Sequence, residues 1–296
     1  MGRELTFTKG HGTENDFVLV RDVDGVLPID AETARWLADR HAGIGGDGVI
    51  RVVPTSAVEE VADQAAEAPW FMDYRNADGG VAEMCGNGVR VFAAYLRREG
   101  LVARPESGGP DPLGVATRSG VKWVRFEDDG SISVDLGPWR LAADGSDEAG
   151  GDADVSIAGL PGPLRGLSLD LGNPHVVVAL PTIAELASAD LTTPPHVEPV
   201  PPHGTNVELV TPLASGHIRM RVHERGVGET RSCGTGVAAA ALATRAWGGD
   251  GSPDVWRVDV PGGSLVVTAL PGNRVELRGP AELVADGVVQ LPDDLR

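Results

Sequence analysis

The chain contains two cysteines, and both stand in the same local motif, Cys-Gly-x-Gly. Cys85 begins Cys-Gly-Asn-Gly, and Cys233 begins Cys-Gly-Thr-Gly. An apolar, alanine-rich stretch follows each motif and predicts a buried helix. Because a helix start presents unpaired N–H groups and the positive end of the helix dipole, it can bind an anion and should lower the pKa of a cysteine placed there. We therefore interpret Cys85 and Cys233 as two reactive thiols beside two anion-binding helix starts.

Two such thiols suit proton transfer at the α-carbon of an amino acid. Inverting this carbon requires a base on one face and an acid on the other, together with stabilisation of the developing negative charge. A thiolate and a thiol can play these two parts without a cofactor. A hydrolase with a cysteine nucleophile would need only one thiol and a nearby histidine. The duplicated thiol therefore favours racemisation or epimerisation.

The two motifs lie in a weak internal repeat. Each cysteine follows a strand-like alternating stretch and a glycine-rich loop, and a polar residue, Asn76 or Glu224, stands nine positions ahead of it. Further upstream, Asn15 and Asn173 each lie in a predicted turn before an apolar strand. Because the order of elements is the same in both copies, the sequence predicts two similar lobes that each supply one cysteine.

Composition excludes several classes of protein. The 296 residues include 43 acidic and 25 basic side chains, giving a net charge of −18, which disfavours nucleic-acid and anionic membrane partners. No apolar run approaches the roughly 18 residues of a membrane helix, and the N-terminus lacks a signal-peptide pattern. Two distant cysteines predict neither a disulfide framework nor a metal site. A cytoplasmic location is expected, and residues 142–154 have a disorder-like composition.

Seven sequence blocks carry a family resemblance that extends over essentially the whole chain. They span residues 10–17, 40–48, 76–79, 84–88, 172–175, 204–208 and 224–236. In this order they resemble the blocks of the diaminopimelate epimerases, which belong to the cofactor-independent, two-cysteine racemase and epimerase superfamily. The resemblance implies interconversion of LL- and meso-diaminopimelate, a step toward lysine and peptidoglycan, without pyridoxal phosphate or metal.

The resemblance also implies roles for individual residues. Cys85 and Cys233 match the two acid/base residues, and His175 and Glu224 match polar residues that help to set the protonation of the cysteines. The backbone at the two helix starts matches the group that binds the reacting carboxylate. The implied substrate contacts are Asn15, Asn76, Gly86, Asn87, Asn173, Asn206, Glu224, Arg225, Gly234 and Thr235.

The sequence departs from the family at two positions. Gly48 stands where some members carry a glutamine that contacts the substrate. Glu14 replaces a glycine, and because residues with a side chain tolerate left-handed backbone poorly, the turn before Asn15 is expected to change.

The expected architecture is an α+β fold of two pseudo-symmetric lobes with the active site in the cleft between them. The resemblance implies that each lobe is a mainly antiparallel sheet or barrel around the helix that follows its cysteine. We predict a first lobe at 1–130, to which 279–296 returns, and a second at 131–278. The expected partners are a small-molecule substrate, diaminopimelate, and a second copy of the chain in a homodimer.

Two alternatives remain open from the sequence. A proline or hydroxyproline racemase of the same superfamily would lack the 224–229 run and would usually carry histidine at the position of Asn87. A non-enzymatic ligand-binding protein with a redox-active cysteine pair is an alternative of another class. It predicts no deuterium uptake at the α-carbon of a substrate, whereas epimerisation in D2O requires it.

Overall fold

A computed structural model describes residues 4–102, 112–142, 150–293 and 295. Within these ranges the chain is mostly strand, with four α-helices, and it forms two sheets, which confirms the predicted α+β class. By its internal contacts the chain divides into two compact units, residues 1–134 with 279–296 and residues 135–278. Of the segment with disorder-like composition, residues 143–149 lie outside the described residues.

The first unit is built on a five-stranded sheet. Its strands are β1 (Glu4–Gly12), β2 (Asn15–Arg21), β3 (Gly48–Pro54), β4 (Trp70–Asn76) and β19 (Glu282–Gln290). The strand order is β19-β1-β2-β3-β4, and all neighbours are antiparallel except β2 and β3. The chain therefore returns to this unit at its C-terminal end, through β19.

Two helices cover opposite faces of this sheet, α1 (Ala31–Ala38) and α2 (Gly86–Arg98). Val18 and Val20 of β2 share a buried cluster with α1, whereas Phe17 approaches Gly88 at the start of α2. Because successive side chains of a strand point to opposite faces, one strand serves both helices. The apolar pattern of β2 is thus continuous rather than alternating, as expected for a strand buried on both sides.

Short elements complete the first unit. Two 3-10 helices, Thr55–Ala57 and Glu59–Gln64, connect β3 to β4. An antiparallel meander follows α2 and consists of β5 (Leu113–Val115), β6 (Lys122–Phe126) and β7 (Ile132–Pro138). The first unit ends within β7, at Val134. Since β5 and β6 also contact α2, strands lie on more than one side of the helix that begins after Cys85.

The second unit is built on a larger sheet. The strands of this sheet that follow β7 are β8 (Arg140–Leu141), β9 (Ala153–Ser156), β10 (Pro163–Asp170), β11 (Pro174–Ala179), β12 (His196–Glu198), β13 (Asn206–Ala214), β14 (His217–Glu224), β15 (Gly228–Thr230), β16 (Val255–Val260), β17 (Gly263–Leu270) and β18 (Arg274–Gly279). The main order is β12-β9-β10-β11-β13-β14-β16-β17-β18. The β11/β13 and β14/β16 pairs are parallel.

The second unit also has two α-helices, α3 (Ile183–Ser188) and α4 (Gly234–Gly248). Leu186 of α3 packs in a cluster with Val176 and Val207 on one face of the sheet. By alternation, the neighbouring positions His175 and Glu208 point to the other face, toward α4. Within α4, positions 236–244 are all buried, so the predicted burial of this helix is confirmed.

None of the helices in the described part of the chain is long and apolar enough to span a membrane. The four α-helices have between 6 and 15 residues.

Candidate active site

Cys85 lies at the start of α2, where its neighbours hold the thiol in a fixed setting. It is the N-cap residue, with extended backbone, and its carbonyl oxygen accepts the first helical hydrogen bond from Val89 N–H at 2.8 Å. Its Sγ donates to Asn15 Oδ1 at 3.5 Å, and Asn87 Nδ2 donates to the same oxygen at 3.2 Å. The structure therefore brings three predicted site residues, Cys85, Asn15 and Asn87, into one cluster.

The orientation of the Asn15 amide is set by a charged network. Asn15 Nδ2 donates to Asp47 Oδ2 at 2.7 Å, and Arg40 Nη2 bridges Asp47 Oδ1 at 2.9 Å and Asp16 Oδ1 at 2.6 Å. Burial raises the pKa of Asp47. Burial also opposes ionisation of Asp16, but hydrogen bonds and charge from Arg40 and Lys9 outweigh it and lower the pKa of Asp16 to about 2. The 40–48 block thus contributes the acid that directs Asn15 Oδ1 toward the thiol.

Asn76 is the exposed last residue of β4, and a tyrosine orients its side chain. Tyr74 Oη donates to Asn76 Oδ1 at 2.8 Å. A Cβ at Gly48 would lie 2.4 Å from Tyr74 Cε2 and 2.6 Å from the carbonyl oxygen of Arg75. The glutamine of some family members therefore cannot occupy position 48 here unless both the Tyr74 ring and the backbone at Arg75 move. Tyr74 was not predicted as a site residue, because an aromatic residue in a strand is usually part of the core.

The turn before Asn15 keeps a left-handed backbone although it lacks glycine. Gly12 pairs with Asn15 across the β1–β2 hairpin, and the two loop residues, Thr13 and Glu14, have φ values of 51° and 61°. A two-residue hairpin loop with positive φ at both positions matches a type I′ turn. Each such residue costs about 1–2 kcal/mol relative to glycine. The substitution at Glu14 therefore adds backbone strain but leaves the hairpin in place.

Cys233 occupies the corresponding position at the start of α4. It is the N-cap residue and 8% exposed, and its carbonyl oxygen accepts from Val237 N–H at 2.8 Å. Its Sγ lies 3.6 Å from Thr235 Oγ1, which accepts a hydrogen bond from Asn173 Nδ2 at 3.2 Å. Thr235 can therefore pass a hydrogen bond to the sulfur when the thiol ionises.

A buried histidine and a buried glutamate extend this chain of polar contacts beyond Asn173. His175 Nε2 lies 3.0 Å from Asn173 Oδ1, and His175 Nδ1 lies 2.7 Å from Glu208 Oε1. Both side chains are completely buried, and Glu208 Oε2 has no hydrogen-bond partner among the described residues. Both ring nitrogens of His175 therefore lie within hydrogen-bonding distance of an oxygen. A polar chain thus runs from Glu208 through His175 and Asn173 toward the thiol.

The prediction that a helix start lowers the pKa of the thiol is wrong for Cys233, whose pKa is raised well above the ordinary value. Burial is the largest cause, and the carboxylates of Glu224 and Glu208 add to it. The Gly236 N–H and the Thr235 hydroxyl act in the opposite direction but are weaker. Cys233 is therefore protonated at neutral pH, which suits a proton donor. Glu208 was not predicted to have a role, and its place in the 204–208 block was the available signal.

Asn206, Glu224 and Arg225 lie together at the ends of β13 and β14. Asn206 Oδ1 accepts from Arg225 N–H at 2.9 Å, and the Thr230 hydroxyl donates to Glu224 Oε1. The Arg225 guanidinium is exposed, and Nη1 donates to the carbonyl oxygen of His203 at 2.8 Å. Among the described residues Arg225 has no carboxylate partner, so its charge is available to an anionic ligand.

The fourth position of the Cys-Gly-x-Gly motif, a glycine in both copies, gives a matched pair of predictions on stability. A Cβ at Gly236 would lie 2.6 Å from Glu208 Oε1, which is buried and held by His175. A Cβ at Gly88 would meet nothing closer than 3.5 Å. Gly236→Ala is therefore expected to lower the free energy of unfolding by about 1–3 kcal/mol. Gly88→Ala is expected to be neutral or to stabilise by up to about 1 kcal/mol, because alanine favours helix.

Denaturant unfolding of the two variants and the parent chain measures this difference. Equal destabilisation by both substitutions would contradict the tight packing of Glu208 against the start of α4.

Across the described residues, no three His, Cys, Asp or Glu side chains cluster closely enough to hold a metal ion. The site residues instead form two separate local arrangements, one at the start of α2 and one at the start of α4. Each arrangement contains a thiol at a helix N-cap and an asparagine amide. Their surroundings differ in charge, since the carboxylates of Glu224 and Glu208 act directly on the Cys233 thiol, whereas Asp47 reaches Cys85 only through Asn15.

Solved structures share the fold of this chain. A hydroxyproline epimerase from Agrobacterium vitis, with bound trans-4-hydroxy-L-proline, aligns with a TM-score of 0.66 at 17% identity, covering 100% of this chain and 95% of that chain. A Bacillus anthracis phenazine biosynthesis protein of the PhzF family aligns with a TM-score of 0.66 at 15% identity, covering 98% of this chain and 100% of that chain. At these identities the likeness shows the fold alone.

Sequence comparison is more specific. The family described as diaminopimelate epimerase matches residues 7–142 and 167–284. The diaminopimelate epimerase of Streptomyces coelicolor is 47% identical, with 97% of this chain and 96% of the relative covered. That of Thermobifida fusca is 49% identical, with 97% and 98% covered. The chain belongs to the diaminopimelate epimerase family.

Proposed function

We propose that this chain interconverts LL- and meso-2,6-diaminopimelate without a cofactor, by moving the α-proton between two thiols, in the synthesis of lysine and peptidoglycan precursors. Family membership makes the chain an isomerase, and the duplicated thiol supports the two-base mechanism. The observation that carries the proposal is that Cys85 and Cys233 each cap the first turn of a helix beside an asparagine amide. A binding protein would have no use for this repetition.

The raised pKa of Cys233 suggests how the two thiols divide the work. A Cys85 thiolate takes the α-proton from one face of the substrate, and the electron pair of the broken C–H bond stays on carbon. The Cys233 S–H then delivers its proton to the opposite face. The products are the inverted carbon, a Cys85 thiol and a Cys233 thiolate, which is the form that catalyses the reverse reaction. Hydrogen bonding from Thr235 to Cys233 supports the thiolate at that stage.

Backbone N–H groups of the two helix starts are proposed to bind the reacting carboxylate. They belong to Gly86 and Asn87 in α2 and to Gly234 and Thr235 in α4. As the proton leaves, negative charge spreads from the α-carbon onto this carboxylate, so donors fixed there stabilise the transition state more than the substrate. Fixed donors of this kind replace the electron sink that a cofactor would otherwise supply.

The distal end of diaminopimelate carries a second carboxylate and a second ammonium group. The exposed guanidinium of Arg225 suits the carboxylate, and Glu224 beside it suits the ammonium group. Asn76, whose Oδ1 is occupied by Tyr74, presents its Nδ2 to an acceptor. Proline and hydroxyproline have no distal amino acid group, so this set favours diaminopimelate over the substrates of the related racemases.

Isotope exchange tests the proposed reaction. In D2O, the enzyme is expected to introduce deuterium at an α-carbon of LL-diaminopimelate while it forms the meso isomer, and mass spectrometry with chiral separation follows both changes. Proline under the same conditions should take up none. Deuterium in proline would favour the proline racemase alternative, and the absence of exchange in both compounds would favour the non-enzymatic alternative.

Location and assembly are further parts of the proposal. A cytoplasmic location fits two cysteines that must stay reduced, because cytosolic reductants keep thiols from forming disulfides. A net charge of −18 fits a small-molecule enzyme that does not bind nucleic acid. The homodimer remains a prediction, which light scattering on the purified protein tests.

A further inference from the structure

Arg90, in α2, is a charged residue for which the proposed mechanism has no use. Its side chain is completely buried, the largest in the described part of the protein with so little exposure. The guanidinium donates to three oxygens: Gly86 O at 3.1 Å, Asn87 Oδ1 at 2.7 Å and Pro280 O at 3.2 Å. Two of these acceptors belong to the residues that directly follow Cys85. Arg90 therefore lies immediately behind the helix start that carries the thiol.

The fold keeps space for this guanidinium. A Cβ at Gly12, the last residue of β1, would lie 2.9 Å from Arg90 Nη2 and 3.3 Å from Asn87. Any side chain at position 12 would press on the guanidinium or on the amide that it holds. The glycine of the 10–17 block thus has a specific use, which is to let β1 pass close to a buried arginine.

The charge of Arg90 lacks a carboxylate partner. Each of its three hydrogen bonds is to a neutral oxygen, and no Asp or Glu among the described residues pairs with it. Burial lowers the pKa of Arg90 to about 10, while interaction with the Cys85 thiolate raises it. The side chain is therefore still charged at neutral pH. A buried cation without an anion is unfavourable, and the first turns of a helix are an unfavourable place for it. A thiolate at Cys85 supplies the missing anion and offsets the unfavourable position of the cation near the helix start.

In the second unit an alanine stands at the position that corresponds to Arg90. Arg90 stands five residues after Cys85, and the residue five positions after Cys233 is Ala238, which is also buried. The charged groups that act on Cys233 are the carboxylates of Glu224 and Glu208. The buried charge close to Cys85 is therefore positive, that of Arg90, whereas the buried charge close to Cys233 is negative, that of Glu208.

We propose that Arg90 is the counter-charge of the Cys85 thiolate and that it makes Cys85, rather than Cys233, the thiol that ionises first in the free enzyme. Around Cys85 the β1–β2 hairpin supplies the Asn15 amide, and Asp47 lies one hydrogen bond beyond it. Asn15 Oδ1 accepts from the thiol and so opposes ionisation. This bond is weak, because a thiol is a poor donor and the distance is 3.5 Å. The full charge of Arg90, whose side chain is completely buried, outweighs it.

The inference gives direction to the proposed two-base reaction and rests on it, but it can be tested without substrate. Cys233→Ser leaves Cys85 as the sole thiol, and the pH dependence of its alkylation by iodoacetamide gives the midpoint of its ionisation. We expect this midpoint to lie below the ordinary thiol value of about 8.5. In the reciprocal Cys85→Ser chain, the midpoint for Cys233 should lie above it.

Substitutions at Arg90 in the Cys233→Ser chain separate charge from structure. Arg90→Gln is expected to raise the Cys85 midpoint by about one to two pH units, so that alkylation at pH 7 slows about tenfold or more. Arg90→Lys keeps the charge and should retain most of the shift. Arg97→Gln removes an exposed arginine of the same helix, which stacks on Phe126, and should leave the midpoint unchanged.

Three results would overturn the inference. One is an unchanged midpoint in folded Arg90→Gln, and another is an equal shift in Arg90→Lys and Arg90→Gln, which would indicate a packing role. If Arg90→Gln fails to fold, the parent single-thiol chains decide, since a Cys85 midpoint at or above that of Cys233 contradicts the proposal. Because no substrate is present, failure of the deuterium exchange experiment would not alter these readings.

Discussion

Replacement of Cys85 or Cys233 by alanine is expected to reduce kcat/KM for epimerisation of LL-diaminopimelate by at least about 10³-fold. Each variant lacks either the group that removes the α-proton or the group that returns it on the other face. Inversion needs both, so the two losses should be of similar size and the double variant hardly worse than either single one. Circular dichroism or chiral chromatography of the product measures the rate.

Folding must be separated from chemistry in these variants. Both cysteines are N-cap residues whose side chains make no capping hydrogen bond, so alanine should cost little stability at either helix start. Thermal unfolding midpoints close to that of the parent chain are expected. Serine is the isosteric control, and because its hydroxyl ionises far above neutral pH, the serine variants should be as inactive as the alanine variants. Near-normal turnover in any one of these single variants would refute the two-base assignment.

Local sequence patterns predicted much of the fold. The alternation Ile218, Met220, Val222 corresponds to β14, and the apolar run from Val237 to Ala243 corresponds to the buried α4. The N-cap positions of the cysteines could also be predicted from the sequence, because glycine after a reactive residue and an apolar run beyond it together indicate a helix start. These features depend on residues close together in the chain, which is why a single sequence reveals them.

Features that depend on residues far apart in the chain could not be predicted from the sequence. The raised pKa of Cys233 has Glu208 and Glu224 among its causes, and Glu208 lies on a different strand, brought under α4 by the register of β13. The Tyr74 ring and the carbonyl oxygen of Arg75, both on the neighbouring strand β4, leave Gly48 no room for a side chain. Such effects arise from packing between elements, and a local motif carries no information on the charge or volume that another strand places behind it.

The left-handed turn at Glu14 illustrates a third kind of limit. Propensity disfavours the backbone that Thr13 and Glu14 adopt, yet pairing of Gly12 with Asn15 and the contacts of the Asn15 amide over-determine the hairpin. Tertiary contacts can therefore impose a local conformation that the residues alone would avoid. The presence of this strain beside Asn15 indicates that the position of the amide matters more than the stability of the turn.

Arg225→Met is expected to weaken the use of LL-diaminopimelate by about 100-fold in kcat/KM, which corresponds to ~2.7 kcal/mol. The exposed guanidinium has no carboxylate partner among the described residues, so a substrate carboxylate would be its natural anion. This carboxylate is distal to the reacting carbon and has the same charge in the substrate and the transition state. Most of the loss should therefore appear in KM and little in kcat.

A matched arginine on the preceding strand provides the control. Arg219 of β14 is also exposed and lies 3.7 Å from Asp259, so Arg219→Met should leave both kinetic constants near those of the parent. Arg225→Lys keeps the charge but loses the planar pair of donors, and it should fall between the parent and Arg225→Met. Because Arg225 is exposed, its variants should unfold at the same temperature as the parent. An unchanged KM in Arg225→Met would mean that the distal carboxylate binds elsewhere, and the assignment of this end of the site to β13 and β14 would have to be abandoned.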